Sequence, residues 1–322
     1  MALKLITTGG TIATVGSGKD TRTRAALDGA QIVGLADHEE DIDIEDVAMS
    51  PSWALTASDM MRVALIARDA ARSGRWTGVI VTHGTSTLEY TAFLAELVND
   101  SEVPIIFTGA MRIATEADAD GPGNIADAIL VAAHPHSRRH RSLVVFAGHV
   151  VAARAAWKLK RDQVDAFISV GASAGSVRGG NLRLPPAPHL TPAFTGELDL
   201  RVALVKVYPG LSPEVLEAAL AHDPHGLALE ALPGAGGVPP PLHETLRALA
   251  ERVPVVIASR APDGRVPTPP TGGTGEPLAG MNLLSAADLT SEKAWLLLMA
   301  CLGQSESDAE ARHLFRRYAS GG

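Results

Sequence analysis

Apolar residues along the first half of the chain fall into two alternating patterns. Short unbroken runs rich in β-branched residues occur at "LKLITT" (3–8), "GVIVT" (78–82), "VPIIFT" (103–108) and "SLVVFAG" (142–148). Between them lie "SDMMRVALIARDAARSG" (58–74), "LEYTAFLAELVND" (88–100) and "NIADAILVAAH" (124–134), whose apolar positions recur at helical spacing. Buried runs alternating with amphipathic helices predict a parallel sheet covered on both faces. From 171 to 199 the period disappears into Gly, Pro and Ala, and the stretch reads as a long linker. Alternation resumes with "LRVALVKVYPG" (200–210), "SPEVLEAALAHD" (212–223), "GLALEAL" (226–232), "PLHETLRALAERV" (241–253), "PVVIASR" (254–260) and "TSEKAWLLLMACLG" (290–303). The expected architecture is two α/β domains with largely parallel sheets covered by helices. An N-terminal domain spans 1–184, a linker 185–199, and a smaller C-terminal domain 200–322.

Composition narrows what such a chain can do. Its 322 residues suit two domains, and 46% hydrophobic against 20% charged residues supplies packed cores rather than disorder. A formal charge of −8 gives no basic field for nucleic acid or an anionic membrane. Cys301 is the single cysteine, so an internal disulfide is impossible, and its apolar helical setting reads as core. The opening "MALKLITTGG" has too short an apolar run for a signal peptide, so a cytoplasmic location is expected.

Ligands of open α/β sheets gather beyond the carboxyl ends of strands. Two segments there combine glycine with hydroxyls: "TTGGTIAT" (7–14) and "THGTST" (82–87). Each alone could be a tight turn whose Thr or Ser caps a helix; two in the same half point to a site. Other motifs fail on chemistry. In "TTGGTIATVGSGKD", Ala13 occupies the first glycine position of a phosphate loop and Asp20 follows Lys19. "EADADGPGNIAD" (116–127) mimics a calcium loop without the terminal bidentate Glu, so Gly121 and Pro122 read as a turn and Asn124 as a helix cap. "HPHSRRHR" (134–141) reads as a solvated loop rather than a metal or phosphate site.

Four segments in order resemble the bacterial-type L-asparaginases: "TTGGTIAT", "VTHGTST", "TGAMRIATEADADGPGN" (108–124) and "ARAAWKLKRD" (153–162), with "SAADLTSEKAWLLLM" (285–299) near the end. The resemblance spans essentially the whole chain. It implies a two-domain amidohydrolase acting on a small-molecule amide, with no metal and no organic cofactor. It further implies a homodimer or homotetramer with active sites at the dimer interface. Carried onto this sequence, Thr11 matches the family's nucleophilic threonine, Thr85 a second catalytic threonine, and Lys158 the lysine paired with it. A threonine hydroxyl needs a neighbouring base, and a lysine serves as one only when its pKa is depressed. Glycine turns such as the one holding Gly84 can aim backbone N–H groups at an oxyanion. Ser52 matches the serine that binds the substrate carboxylate, with Ser50 the alternative alignment.

The sequence departs from the family around the substrate. The family writes His-Gly-Thr-Asp-Thr, but Ser86 stands in the aspartate position and brings no charge for an α-ammonium. Trp53 replaces a common glutamine after the binding serine. No tyrosine lies on the loop after the first strand, where Arg22 and Arg24 stand instead. The partner-subunit asparagine expected near 233–240 is absent, and Glu276 matches a partner glutamate. The default activity is therefore L-asparagine to L-aspartate with weakened α-ammonium recognition. The alternatives are an amidase for analogues lacking a free α-amino group, or a catalytically impaired binding or regulatory relative.

Overall fold

The computed structural model describes residues 2–16, 24–25, 27–47, 50–186, 192–234, 236–270, 278 and 280–320. Arg22 and Glu276 fall outside the described residues, as does the side chain of Arg24. The chain divides into two compact units, Met1–Pro188 and His189–Gly322.

The first unit begins with β1 (Ala2–Thr7), a single 3₁₀ turn at Thr11–Ala13, and a small ribbon of β2 (Thr14–Val15) and β3 (Arg24–Ala25). There follow α1 (Gly29–Val33), β4 (Asp41–Asp46), a 3₁₀ turn at Ser52–Ala54, α2 (Ala57–Arg72), β5 (Gly78–Thr82) and α3 (Leu88–Val98). Next come β6 (Ile105–Thr108), α4 (Gly121–Ala133), β7 (Ser142–Phe146) and β8 (His149–Ala152). The unit ends with β9 (Ala156–Lys158), β10 (Phe167–Ser169), β11 (Gly175–Arg178) and β12 (Asn181–Arg183). Its 8-stranded sheet has the order β12-β11-β8-β7-β6-β5-β1-β4. Strands β4, β1, β5, β6 and β7 run parallel, while β8, β11 and β12 extend one edge antiparallel. The central runs are buried because helices cover both faces; truncating a residue such as fully buried Phe107 to alanine typically costs about 3–5 kcal/mol.

Two elements correct the sequence reading. Part of the stretch read as linker, 171–199, is the β11–β12 hairpin, paired onto β8. Gly179 and Gly180 turn it with φ of 54° and 77°, so the glycines that look like linker are hairpin-turn residues. Asn124 is not a helix cap: α4 begins at Gly121 with Asp120 before it, and Pro122 occupies its first turn. Strand β4, "DIDIED", was invisible to an apolar-run criterion because it is the sheet's edge, where charge keeps other chains from pairing. Its Asp43 and Glu45 reach Lys4 of β1 at 2.6 and 3.1 Å.

The second unit contains β13 (Val202–Lys206), α5 (Pro213–Ala219), β14 (Gly226–Ala231), α6 (His243–Ala250), β15 (Val255–Ser259), β16 (Leu283–Ser285), α7 (Ser291–Gln304) and α8 (Asp308–Ala319). Its four strands are all parallel, in the order β13-β14-β15-β16. A separate core of Leu216, Leu229, Leu246, Ile257 and Leu278 fills it. Helix α8 also escaped the sequence reading, since its buried side is narrow and includes an arginine. Arg312 donates to the carbonyls of Asn282, Ala250 and Val253 at 2.6, 3.1 and 2.6 Å, supplying partners at the open carbonyl end of α6 and just before β16.

Candidate active site

The site is assembled where β1 and β5 end side by side. Thr7 pairs with Thr82 across the parallel ladder, so the two glycine-rich loops leave the sheet together. Thr8 bridges them, its N–H and hydroxyl both donating to the Thr82 carbonyl at 3.1 and 2.9 Å. Gly10 then adopts φ 90°, ψ −175°, open to glycine at little cost. A methyl there would sit 2.8 Å from both the Cα and N of Gly84, so only glycine allows the two backbones to touch. Thr11 follows at once. It opens a 3₁₀ turn pinned by Ala13 N–H and the Thr14 hydroxyl on the Gly10 carbonyl, at 3.1 and 2.9 Å. Buried Ile12 and Ala13 anchor that turn, while Thr11 stays half-buried.

Gly84 is crowded from a second side. A methyl on it would lie 2.4 Å from the Ser52 hydroxyl oxygen, which places Ser52 against the turn that presents Thr85. The Thr87 hydroxyl donates to the Ser52 carbonyl at 2.9 Å and ties the segment to the start of α3. Ser52 is buried whereas Ser50 is exposed. Trp53, next in the same turn, is 74% exposed.

Thr85 is buried, and the Lys158 amine lies 2.6 Å from its hydroxyl. Burial pulls the Lys158 pKa below the ordinary lysine value, and the charge of Glu89 partly restores it. The shift brings the neutral amine closer to physiological pH. Ser86, one residue on, is exposed and uncharged.

His83 is a residue the sequence reading passed over. It is fully buried and its pKa is pushed down to about 4 by that burial, so the ring is neutral at pH 7. Its Nδ1 lies 2.9 Å from the Gly84 carbonyl and its Nε2 3.1 Å from the Thr91 hydroxyl. A carbonyl only accepts, so Nδ1 carries the proton and Nε2 accepts from Thr91. In a trans peptide the C=O and the next N–H point opposite ways. Holding the Gly84 carbonyl toward the ring therefore turns the Thr85 N–H away from it. The signal in sequence was a histidine ending an apolar strand directly before the glycine turn.

The loop after β6 closes against the same turn. A methyl on Gly109 would lie 2.4 Å from the His83 carbonyl oxygen. Asp120 fixes the loop by accepting from the N–H groups of Met111 and Arg112, each at 2.9 Å in its shorter bond. Asn124 donates to the Gly109 carbonyl at 2.9 Å and accepts from Ala147 N–H at 2.8 Å, joining α4 to two loops. The residues that mimicked a calcium loop are thus a hydrogen-bonded brace. Among the described residues, no group of three or more His, Cys, Asp or Glu side chains could hold a metal ion. No helix among them is long and apolar enough to cross a membrane.

Glycine turns carrying hydroxyls and a lysine-paired threonine, set at the end of a parallel sheet, define an α/β enzyme of the hydrolytic kind. Comparison with known proteins makes the class specific. The family described as "Asparaginase, N-terminal" matches residues 2–188, and the "Glutaminase/Asparaginase C-terminal domain" matches residues 201–315. A probable L-asparaginase of Deinococcus radiodurans is 34% identical over 323 residues, covering 97% of this chain and 96% of the relative. The solved thermostable L-asparaginase from Thermococcus kodakarensis is 28% identical with a TM-score of 0.87, covering 100% of this chain and 98% of that one. A probable cytoplasmic L-asparaginase from Campylobacter jejuni is 26% identical with a TM-score of 0.81, covering 97% and 98%. The chain belongs to the asparaginase family of amidohydrolases.

Proposed function

We propose that this enzyme hydrolyses a side-chain carboxamide to the acid and ammonia, with L-asparagine to L-aspartate as its default reaction. Support comes from the L-asparaginases it resembles and above all from one observation, the 2.6 Å contact between Lys158 and the Thr85 hydroxyl beside the Gly10–Gly84 approach. In this reading Thr11 Oγ1 attacks the amide carbon and its proton passes through Thr85 toward the neutral Lys158 amine. The carbon–nitrogen bond breaks as the leaving amine takes up a proton, and ammonia departs. Water then attacks the acyl-threonine ester, freeing the acid and restoring the Thr11 hydroxyl. The N–H groups on the glycine turns, Thr85 N–H among them, are suited to receive the developing oxyanion.

Substrate recognition is the finer part of the proposal. In this reading Ser52, for which the missing Gly84 side chain leaves room, binds the substrate carboxylate. Ser86 offers a hydroxyl and no charge to an α-ammonium. A hydrogen bond to a charged group is worth about 1.5–3 kcal/mol, so asparagine recognition is expected to be weaker by roughly one to two orders of magnitude. Exposed Trp53 adds apolar surface beside Ser52. Together these favour amides without a free α-ammonium, such as succinamic acid or N-acylated asparagine. An assembled homodimer or homotetramer in the cytoplasm completes the reading, with the adjoining subunit contributing to each site. The test is ammonia release from asparagine and succinamate by wild type and Thr11→Val. Turnover confined to the wild type is expected; a Thr11→Val enzyme that keeps its rate removes Thr11 from the mechanism. Ligand stabilisation by these amides without turnover in the wild type would instead favour the impaired, binding-only relative.

A further inference from the structure

Helix α3 buries nearly all of its side chains, and one of them is a carboxylate. Glu89 is 4% exposed in a helix otherwise lined with Leu88, Ala92, Phe93 and Leu97. A carboxylate in such a place is costly unless hydrogen-bonded or paired. Its Oε2 accepts the backbone N–H of Lys158 at 2.6 Å. Two turns further along α3, Glu96 accepts the N–H of Arg154 at 3.0 Å. The same helix face thus grips the chain at both ends of the segment 154–158, and Lys158 reaches the Thr85 hydroxyl from the held strand β9.

We propose that Glu89 is the positioning residue of the Thr85–Lys158 pair: it clamps β9 through the Lys158 N–H and places a buried negative charge beside the amine. The inference rests on the reading of Lys158 as proton acceptor. Of the charged groups near this segment, Glu89 and Glu96 come from α3, Arg154 lies on the segment itself, Lys160 pairs with Asp165 before β10, Arg161 and Asp162 follow in the β9–β10 connection, and His149 of β8 lies near Asp165; β10 itself brings Phe167, Ile168 and Ser169. Burial drives the Lys158 pKa down and the charge of Glu89 opposes it. That leaves a lysine able both to take a proton and to return it, which the two halves of amide hydrolysis require.

Glu89→Gln separates charge from clamp, because the amide oxygen still accepts the Lys158 N–H. With ε-¹³C-labelled lysine, the Lys158 signal is assigned by its loss in Lys158→Arg and titrated by NMR. In Glu89→Gln the Lys158 titration should fall by about one pH unit, the size expected for loss of one nearby opposite charge. The ascending limb of kcat against pH should move down with it. Glu89→Asp retains the charge but shortens the reach, so its limb stays near wild type while kcat falls. Glu96→Gln, which removes an equal charge from the same helix, should leave the Lys158 titration in place. An unmoved Lys158 titration in a folded Glu89→Gln enzyme overturns the proposal. A titration that moves while the rate profile does not supports the Glu89–Lys158 coupling and instead discards Lys158 as the base.

Discussion

Lys158 in the first unit and Lys206 in the second are both strand-end lysines beside a helix, yet their surroundings push them in opposite directions. Lys206 ends β13 and meets carboxylates, Glu292 at 3.0 Å and Glu230 at 3.1 Å. Burial works against its charge, but the bonds and charges of Glu292 and Glu230 prevail and its pKa rises. Glu230 is further engaged by the Ser291 hydroxyl, so this cluster is closed on itself. The amine of Lys158 meets a hydroxyl instead, and burial wins. A carboxylate partner fixes a lysine as a permanent cation; a hydroxyl partner in a half-buried place leaves it able to exchange a proton. Lys158 ends a strand of the small antiparallel β9–β10 pair and Lys206 an edge strand of the parallel second-unit sheet, so it is the partner of each lysine that sets its chemistry.

The largest expected effect breaks that comparison by removing each amine. Lys158→Met should lower kcat for amide hydrolysis by about 10²–10⁴, the range for a lost acid–base group, and Thr85→Val should fall in the same range. Lys206→Met should leave kcat within about twofold, because its cation only closes a structural cluster and an exposed ion pair is worth little. Steady-state ammonia release measures all three. Equal losses at the two lysines would dissolve the distinction.

Next in size is the charge at position 86. Ser86→Asp should raise kcat/KM for asparagine relative to succinamate by roughly 10–100-fold, the worth of a charge-assisted hydrogen bond. Should wild type already prefer asparagine strongly, with Ser86→Asp adding nothing, the missing carboxylate has no role in selectivity.

His83 predicts a stability effect with a definite sign. In the unfolded chain it takes a proton below its ordinary value of 6.5, but in the fold only near 4. Between those values the unfolded state binds more protons, so stability is full above 6.5 and drains as pH falls, by up to about 3 kcal/mol. His83→Asn, which keeps a donor for the Gly84 carbonyl, should flatten the slope of urea-unfolding stability over that window. An unchanged slope would mean that His83 is not held neutral.

The smallest effect is thermal. A lysine with a depressed pKa is destabilising while charged, so at pH values below its own titration Lys158→Met should raise Tm by about 1–3 °C even as activity collapses. Lys206→Met, which strips a partner from Glu230 and Glu292, should not raise it. Differential scanning calorimetry at fixed protein concentration distinguishes them.

The alternating apolar runs carried most of the scaffold, because a strand buried between helices must be apolar on both faces. Strand β5, helices α2 and α3 and the second-unit strand β14 lie where that rule places them. It had no grip on β4, whose edge position makes acid residues favourable, or on β11 and β12, where glycine serves a turn. For the site, the motifs indicated Thr11, Thr85, Lys158 and Ser52, and the fold brings Ser52 and Lys158 onto the turn at Gly84 and Thr85 and places Gly10, next to Thr11, against Gly84. What could not be read were the residues that hold these in place. Glu89 looks like one polar position in an apolar helix, and it is the meeting of α3 with β9, sixty-nine residues apart in sequence, that brings it the Lys158 N–H. Asn124 is hard to read for the same reason: its bonds to the Gly109 carbonyl and the Ala147 N–H leave no pattern along the chain.

The most direct test of the contrast between the two lysines is an NMR titration of ε-¹³C-labelled lysines in the intact wild-type enzyme, with Lys158→Arg and Lys206→Arg for assignment. The expected result is a Lys158 midpoint below the ordinary lysine value of 10.5 and a Lys206 midpoint above it. A Lys158 that titrates at or above that value would contradict its placement as the proton acceptor of the Thr85 pair.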